Sequence, residues 1–505
     1  MDDLDQNSLN KKRIKIPSSW VWIVATLAIC AIFAFTLVPA AAAMGNNASN
    51  TATGLQTSQT RRYTSIIQNV FDFIQRHYIE ETDPKVVFEG AMNGMFNALG
   101  DPYSVFMPES EMASLNDTTQ GSFGGVGLYI SKPAREGRPS WVEVSSPIEG
   151  TPGWRAGINP GDLIIQINGE PTDVLTLEEV LGKLRGRPGV ELELLIRRGE
   201  RLEFPVKVTR AIIEVPTARH EMIGDIGYLK LLTFTPMTVG RARDAIGEFK
   251  TQKYTSLILD LRNNYGGLLT SAVDVASLFL DGGLVVRTQS RIQSENQNFY
   301  ARRSILVPED IPVIVLINKG SASASEIVAG ALKDRGRAFL VGENTFGKGS
   351  VQQVFPVENA GFKLTTAHYY TPSDRNIDKI GIPPDREVSF PEITDADAVQ
   401  LNELLRTDKI REFVSKNPQA NAAQVEAFVR SLEREYHLDF NLLSRLVRNE
   451  QNRTVIAPVY DLEYDVQLLE AVNILRRGEY QNLLQNARVI NTLQEEIRDD
   501  FPIAS

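Results

Sequence analysis

The order of apolar and polar residues divides the chain into segments of different periodicity. Residues 20–38 form a run of nineteen residues without a charge, which as a helix would be about 28 Å long, close to the hydrocarbon thickness of a bilayer. Four basic residues between positions 11 and 15 precede the run, and alanines occupy residues 40–42. We predict a basic cytoplasmic segment at residues 1–18 and a transmembrane anchor or signal segment at residues 19–43. The length of the run favours an uncleaved anchor.

A helical region is predicted to follow. Residues 44–60 are rich in Asn, Thr, Ser, Ala and Gly and carry no charge, which predicts a flexible linker. Within residues 61–110, apolar side chains recur at helical spacing at Ile67, Val70, Phe71, Ile74 and Tyr78. A second helix is expected to start at Asp83 and Pro84, because a capping residue there precedes a proline at the first helical position.

Three further regions differ in the spacing of their apolar residues and glycines. Residues 121–213 contain short alternating segments separated by glycines, which predicts a small β domain. Residues 214–392 alternate between buried strands and helices, which predicts an α/β core with a β-sheet flanked by helices. Within this core, strands are expected at residues 254–261, 311–318 and 337–343, with helices at residues 268–280 and 323–332. Residues 393–505 have amphipathic helical spacing throughout and predict a C-terminal helical region that mediates association. The fold class is therefore multidomain α/β.

Composition excludes several classes of function. The 505 residues carry a net charge of -10, which argues against a nucleic-acid-binding protein. The four histidines are scattered without ligand spacing, and the single cysteine, Cys30, lies in the apolar run. We therefore expect no metal site, no disulfide and no cofactor.

A glycine-rich stretch, G-E-N-T-F-G-K-G-S at residues 342–350, nearly matches a phosphate-binding P-loop. The P-loop interpretation fails because Gly349, and not a hydroxyl residue, follows Lys348, and because the next residues predict a strand and not a helix. Desolvation in such a loop would lower the pKa of Lys348 and make its amine a general base.

A base of this kind needs a nucleophile. Ser321, Ser323 and Ser325 lie between a predicted strand and a helix of small residues, where helix N–H groups would favour negative charge. The pattern alone does not choose among the three serines.

Two sequence blocks resemble known families. The segment A-G-I-N-P-G-D-L-I-I-Q-I-N-G at residues 156–169 resembles PDZ domains, so residues 121–213 are expected to form one. The resemblance implies that a carboxylate-binding loop, which receives the end of a peptide, is formed by Gly124, Gly125, Val126, Gly127 and Leu128.

The core resembles the C-terminal processing peptidases, the serine proteases of peptidase family S41. N-K-G-S-A-S-A-S-E-I-V-A-G-A-L-K-D and G-E-N-T-F-G-K-G-S-V-Q are similar to its two signature blocks, and D-L-R-N-N-Y-G-G-L-L-T also resembles its members. The resemblance implies Ser323 as nucleophile, Lys348 as base and Gln352 as the residue that orients the lysine. It further implies that the oxyanion donors are the backbone N–H groups of Ala324 and of Gly266 or Gly267. The supporting residues that it implies are Glu326, Asp334 and Thr345. One departure is Asp374, where the family usually has glycine.

The expected function is that of a membrane-anchored, extracytoplasmic serine endopeptidase of the bacterial periplasm or cell envelope. It would cut proteins near free, apolar C-terminal tails that its PDZ domain binds, and it would act as a homodimer or larger homo-oligomer. The sequence identifies no adaptor or activator. The alternative is a non-catalytic protein that uses the same fold to bind peptides or lipophiles.

Overall fold

The structure is a computed structural model, and it describes residues 51–112, 115, 121–132, 140–199, 202–303, 305–390, 394–451 and 458–487, with side chains from residue 59 onward. The predicted basic segment at residues 1–18 and the anchor or signal segment at residues 19–43 lie outside this part of the chain. Within it, no helix combines the length and the apolar character needed to cross a membrane. The chain divides into two compact units, Met1–Ala91 and Met92–Ser505.

The first unit contains helix α1 (Thr51–His77) and the beginning of α2 (Pro84–Asn97). The second helix starts at Pro84 as predicted, with Asp83 Oδ1 accepting from the Lys85 N–H at 2.8 Å. The expectation of a flexible linker up to residue 60 is wrong from Thr51 onward, because α1 already begins there. Once the following turns are helical, each added residue gains a hydrogen bond, and no proline interrupts the segment.

The PDZ region is built from an antiparallel sheet in the order β3-β4-β5-β7-β8, with β6 paired to β5 and a separate β2-β9 pair. Its apolar core includes Val142, Val144, Ile164, Leu194 and Ile196. Strand β1 (Val105–Met107) precedes this region and joins another sheet. The strands of the region are β2 (Ser122–Gly125), β3 (Leu128–Ser131), β4 (Val142–Pro147), β5 (Leu163–Ile167), β6 (Glu170–Pro171), β7 (Glu191–Arg198), β8 (Leu202–Thr209) and β9 (Ala211–Glu214). Its helices are α3 (Pro152–Arg155) and α4 (Leu177–Leu184).

The α/β core contains a six-stranded sheet in the order β10-β11-β12-β15-β16-β19, in which β10 is antiparallel to β11 and the following pairs are parallel. A second sheet has the order β1-β18-β13-β14, with β17 also paired to β18. The strands are β10 (Ala218–Ile223), β11 (Ile226–Leu231), β12 (Ser256–Asp260), β13 (Leu284–Ser290), β14 (Gln297–Tyr300), β15 (Val313–Ile317), β16 (Phe339–Gly342), β17 (Ser350–Val357), β18 (Ala360–Tyr370) and β19 (Arg386–Glu387). The core helices are α5 (Thr238–Thr251), α6 (Leu269–Ala276) and α7 (Ala324–Asp334).

Both faces of the six-stranded sheet are covered, which explains why every residue of β12 and β15 is buried and why β15 is apolar throughout. Val313, Val315 and Ile317 point into one apolar cluster with residues of α5, α6 and α7. Ile314 and Leu316 point into the opposite cluster, which contains residues from the C-terminal part of the chain. The alternation of side chains along one strand thus supplies two cores.

The C-terminal helices have two different roles. Four of them, α8 (Asp395–Arg406), α9 (Lys409–Lys416), α10 (Ala422–Tyr436) and α11 (Phe440–Gln451), share a core of their own. By contrast, α12 (Val466–Arg476) and α13 (Tyr480–Gln485) contribute Leu468, Val472 and Tyr480 to the second face of the six-stranded sheet. The sequence assigned residues 393–505 to one association region. That assignment is wrong for α12 and α13, because their apolar side chains are buried in the core.

A buried ionic network joins α12 to the segment after β12. The Arg262 guanidinium donates to Asp260 Oδ1 at 3.0 Å and to Asp260 Oδ2 at 2.7 Å. It also donates to both carboxylate oxygens of Asp465, each at 2.7 Å, and to Gln467 Oε1 at 3.0 Å. Burial alone would raise the pKa of Asp260, but the Arg262 charge lowers that pKa to about 2. The arginine therefore carries a paired charge that fixes both segments.

We predict that Asp465→Asn destabilises the core by about 2 kcal/mol, because the buried guanidinium loses a charged acceptor on one side. Urea unfolding of the purified chain measures this change. Asp461→Asn is the matched control, since the Asp461 carboxylate pairs with the less buried Arg448 at 3.5 Å and should contribute less than about 1 kcal/mol. Equal changes in the two variants would contradict a structural role for the network.

Candidate active site

The three candidate serines differ in what their hydroxyls contact. Ser321 Oγ donates to the Leu261 carbonyl at 2.9 Å, and Ser325 Oγ donates to the Asn264 carbonyl at 2.8 Å; both serines are fully buried. Ser323 is partly exposed and lies at the N-cap of α7. The structure therefore assigns two of the hydroxyls to packing and leaves Ser323 as the candidate nucleophile.

The backbone of Ser323 is held in an uncommon conformation. Its φ is 55°, in the left-handed region that few residues other than glycine adopt. Such strain persists only where surrounding contacts enforce it, and it is concentrated at functional sites. Here the Ser323 N–H donates to Glu326 Oε2 at 2.8 Å, one turn into α7.

The buried Glu326 carboxylate connects the two sequence blocks. Its Oε1 accepts from Thr345 Oγ1 at 2.6 Å and from the Gly347 N–H at 2.8 Å. Its Oε2 accepts from the Ser323 N–H and from the Lys348 N–H at 2.9 Å. Burial raises the pKa of Glu326, while these hydrogen bonds to its charged form lower it. One side chain thus fixes the backbone of both Ser323 and Lys348.

The Lys348 side chain is half-buried, and burial is the main cause that lowers its pKa. The positive charge of Lys363 lowers the pKa further, whereas the carboxylates of Glu326 and Asp101 raise it. The net direction is towards a lysine that loses its proton more readily than an exposed one. Lys348 Nζ lies over the Tyr103 ring, 4.4 Å from the ring centroid.

Tyr369, which sequence reasoning did not single out, contacts both residues. Its hydroxyl donates to the Lys348 carbonyl oxygen. Burial and the Glu326 charge raise the pKa of the Tyr369 phenol, and a hydrogen bond with the Ser323 side chain opposes them. No hydrogen bond joins the side chains of Ser323 and Lys348 in the part of the chain that the structure describes. No two-residue burial pattern runs along β18, so the sequence carries no signal that singles out Tyr369.

The predicted oxyanion donors lie beside Ser323. Ala324 is the first residue of α7, where N–H groups lack intrahelical partners. A Cβ added to Gly266 would lie 2.8 Å from Ser323 Cβ and 2.9 Å from the Ala324 nitrogen, so only glycine fits there. However, the Gly266 N–H donates to Asn264 Oδ1 at 2.9 Å. The Gly267 N–H has no acceptor among the described residues, so the geometry favours Gly267 over Gly266 as the second donor.

Two other predicted residues, Gln352 and Asp334, have contacts away from the Ser323 and Lys348 side chains. Gln352 Nε2 donates to Ser350 Oγ at 2.9 Å and to Thr365 Oγ1 at 3.3 Å, so its hydrogen bonds do not orient Lys348 in this structure. Asp334 ends α7, and its Oδ2 accepts from the Ser373 hydroxyl at 2.7 Å and from the Ser373 N–H at 3.0 Å. That carboxylate supports a turn at the far end of the helix.

Asp374, the position at which the family usually has glycine, lies in the same turn. Its φ is 65°, the left-handed conformation that glycine adopts without strain and that aspartate tolerates better than most residues. Its side chain also pairs with Arg287. The substitution therefore keeps the turn and adds an ion pair to it.

A pocket of about 310 Å³ lies against the predicted PDZ loop. Val126, Gly127 and Leu128 line it, together with Phe123, Ile130, Leu181, Leu184, Arg185, Thr233 and Thr235 among others. Gly124 and Gly125 do not line it, and they pair with β9 as part of β2. A Cβ on Gly124 would lie 2.2 Å from the Gly186 carbonyl oxygen, so this glycine serves close packing.

No cluster of His, Cys, Asp or Glu that could hold a metal ion occurs within the described ranges. The site itself offers a hydroxyl on a strained turn, a desolvated amine in the loop that Glu326 ties to this turn, and unpaired N–H donors at a helix N-terminus. This combination suits nucleophilic attack on a carbonyl carbon with stabilisation of the resulting oxyanion.

Comparisons with known families agree with this geometry. A model of peptidase family S41 matches residues 225–388, and a PDZ domain model matches residues 143–198. A third model, the activating protease CtpB N-terminal domain, matches residues 27–111.

Similar proteins cover most of the chain. A "Carboxy-terminal-processing protease" of Bartonella bacilliformis is 41% identical over 329 residues, which are 64% of this chain and 74% of that protein. A "Probable CtpA-like serine protease" of Staphylococcus epidermidis is 31% identical over 78% of both chains. Among solved structures, the photosystem II D1 C-terminal processing protease is 31% identical with a TM-score of 0.39, and the match covers 66% of this chain and 89% of that one.

We predict that Glu326→Gln slows the reaction of Ser323 with a fluorophosphonate by about 10- to 100-fold, since small displacements of reacting groups have effects of this size. The amide replaces one acceptor oxygen with a donor, so the N–H groups that this oxygen holds lose their partner. Labelling rates measured by mass spectrometry give the result. Asp334→Asn, at the other end of the same helix, should label at nearly the parent rate. Equal rates in Glu326→Gln and the parent would contradict the positioning role.

Proposed function

The chain belongs to peptidase family S41, a family of serine-type peptidases, and from that premise we propose that Ser323 is its nucleophile and Lys348 its general base. The observation that carries the proposal is the Glu326 carboxylate, whose Oε2 accepts hydrogen bonds from the backbone N–H groups of both residues. A single buried group thereby ties the turn of Ser323 to the loop of Lys348. The lowered pKa of the Lys348 amine supports its role as the base.

In the proposed reaction, the neutral Lys348 amine takes the Ser323 proton as Oγ attacks the carbonyl carbon of a peptide bond. The Ala324 and Gly267 N–H groups stabilise the tetrahedral oxyanion. The Lys348 ammonium then returns its proton to the leaving amine, which releases the C-terminal product and leaves an acyl-serine. Lys348 next takes a proton from water, which attacks the ester, and the Ser323 hydroxyl is restored as the acid is released.

The substrate class that we propose is proteins with free, apolar C-terminal tails, which the PDZ domain would bind. The pocket at Val126, Gly127 and Leu128 is lined mainly by apolar side chains, which suits an apolar tail. Arg185 also lines this pocket and supplies positive charge near the position of a terminal carboxylate. Its guanidinium lies 4.8 Å from the centroid of the Phe123 ring.

We also propose an extracytoplasmic location, with the chain held at the membrane by residues 19–43. The apolar run and its basic flank support this placement. A homodimer or larger homo-oligomer is supported by apolar side chains of α1 that are more than half exposed: Tyr63, Ile67, Val70 and Phe73. A second copy of the chain would cover them.

We predict that Ser323→Ala and Lys348→Ala each lower the rate of casein hydrolysis by at least about 10³-fold, the size of effect seen when a residue of a catalytic unit is removed. Asp374→Gly, which restores the usual family residue in a distant turn, is the control and should remain active. Activity in Ser323→Ala or Lys348→Ala equal to the parent would favour a non-catalytic protein on the same fold.

We predict that a fluorescent peptide with an apolar C-terminus and a free carboxylate binds Ser323→Ala at least about tenfold more tightly than the same peptide with a C-terminal amide. The difference arises because the amide removes the charge that the loop N–H groups and Arg185 would hold, and such a charged contact is worth about 1.5–3 kcal/mol. Fluorescence anisotropy measures both affinities. Equal affinities would remove tail recognition from the proposal while leaving the catalytic assignment intact.

A further inference from the structure

The Lys348 ammonium has one close partner that the catalytic scheme does not use. Its Nζ lies 4.4 Å from the centroid of the Tyr103 ring, within the range of about 6 Å in which an aromatic face attracts a cation. Within the described part of the chain, no carboxylate forms an ion pair with this ammonium. The ring face is therefore its closest source of electrostatic stabilisation by direct contact.

Hydrogen bonds in the turn at residues 101–104 hold the backbone that carries the Tyr103 ring. The Tyr103 N–H donates to Asp101 Oδ1 at 3.0 Å, and Ser104 Oγ donates to Asp101 Oδ2 at 2.6 Å. Ser104 Oγ also accepts from the Thr365 N–H at 3.0 Å, which ties the turn to β18. These contacts fix the backbone from which the ring projects, and none of them involves the Tyr103 hydroxyl.

Strand β18 relates Tyr103 to Lys348. On one side it pairs with β1, which starts at Val105, two residues after Tyr103. On its other side it pairs with β17, which starts at Ser350, two residues after Lys348. The ring and the lysine therefore approach each other from opposite neighbours of one strand, and this pairing fixes the positions of the two backbones while the lysine side chain can still move.

We propose that Tyr103 is a positioning residue for Lys348: its ring holds the protonated side chain in a resting position and releases the neutral amine to Ser323. An aromatic face attracts an ammonium, and this attraction disappears when the proton leaves for water. Loss of one proton thus frees the base at the moment when it becomes able to accept the serine proton. This inference rests on the proposed role of Lys348.

The groups around Lys348 determine whether replacing Tyr103 raises or lowers the pKa of the lysine. Burial and the Lys363 charge lower the pKa of Lys348, while Glu326 and Asp101 raise it. The Tyr103 ring acts in the same direction as the carboxylates, because it stabilises the charged form. The Tyr103 phenol stays protonated at neutral pH, since burial and the charges of Asp378, Asp101 and Glu326 raise its pKa. Leucine in place of Tyr103 keeps the apolar cover but removes the aromatic face.

The experiment is the pH dependence of kcat/KM for a fluorogenic peptide, measured on the full chain, on Tyr103→Leu and on Tyr103→Phe. Activity rises with pH as Lys348 loses its proton. We expect the midpoint of this rise to move down by about 0.5–1 pH unit in Tyr103→Leu, from the size of a cation–π contact. Tyr103→Phe keeps the ring and should keep the parent midpoint.

A merely structural role would lower the plateau of activity and leave the midpoint unchanged. An unchanged or raised midpoint in Tyr103→Leu would overturn the inference, and so would a midpoint in Tyr103→Phe that moves as far as in Tyr103→Leu. The Lys348→Ala variant distinguishes a failure of the Tyr103 role from a failure of the Lys348 role as general base. If Lys348→Ala is inactive and the Tyr103→Leu midpoint does not move, only the role of Tyr103 fails, whereas an active Lys348→Ala removes the proposed base.

Discussion

The buried carboxylate of Glu326 is the interaction on which the site depends. It accepts from the backbone of Ser323 at one end and from the backbone of Gly347 and Lys348 at the other. Because a buried carboxylate must have its hydrogen bonds satisfied, the two segments cannot separate without a large energetic cost. The strained turn of the serine and the position of the lysine loop are consequences of one well-paired charge.

The core around this site is more extensive than its catalytic motifs suggest. Arg262 lies four residues before Gly266, and its guanidinium is held by Asp260 on one side and Asp465 on the other. The loop that carries the proposed oxyanion donor therefore begins at a residue fixed by the C-terminal helix α12. Arg262 therefore links the position of this loop to the packing of the C-terminal helix α12.

Local pattern predicted what local residues determine. The strands of the core, the helix of α7 and the start of α2 at Pro84 follow from periodicity and capping, and the structure contains each of them. The local pattern did not distinguish Ser323 from Ser321 and Ser325, because the carbonyl groups that bind the other two hydroxyls lie in the segment after β12. It missed Tyr103 and Tyr369 for the same reason: their roles arise from pairing across β18. The Gln352 and Asp334 expectations differ from the observed contacts because those side chains find nearer partners.

The burial of α12 and α13 in the protease sheet has a consequence for biosynthesis. One apolar face of β11, β12, β15 and β16 stays uncovered until residues 466–485 have been made, long after Ser323 and Lys348 have left the ribosome. A nascent chain would thus carry both reactive groups without a completed core. The packing of the six-stranded sheet on both faces can therefore be completed only after residues 466–485 have been synthesised.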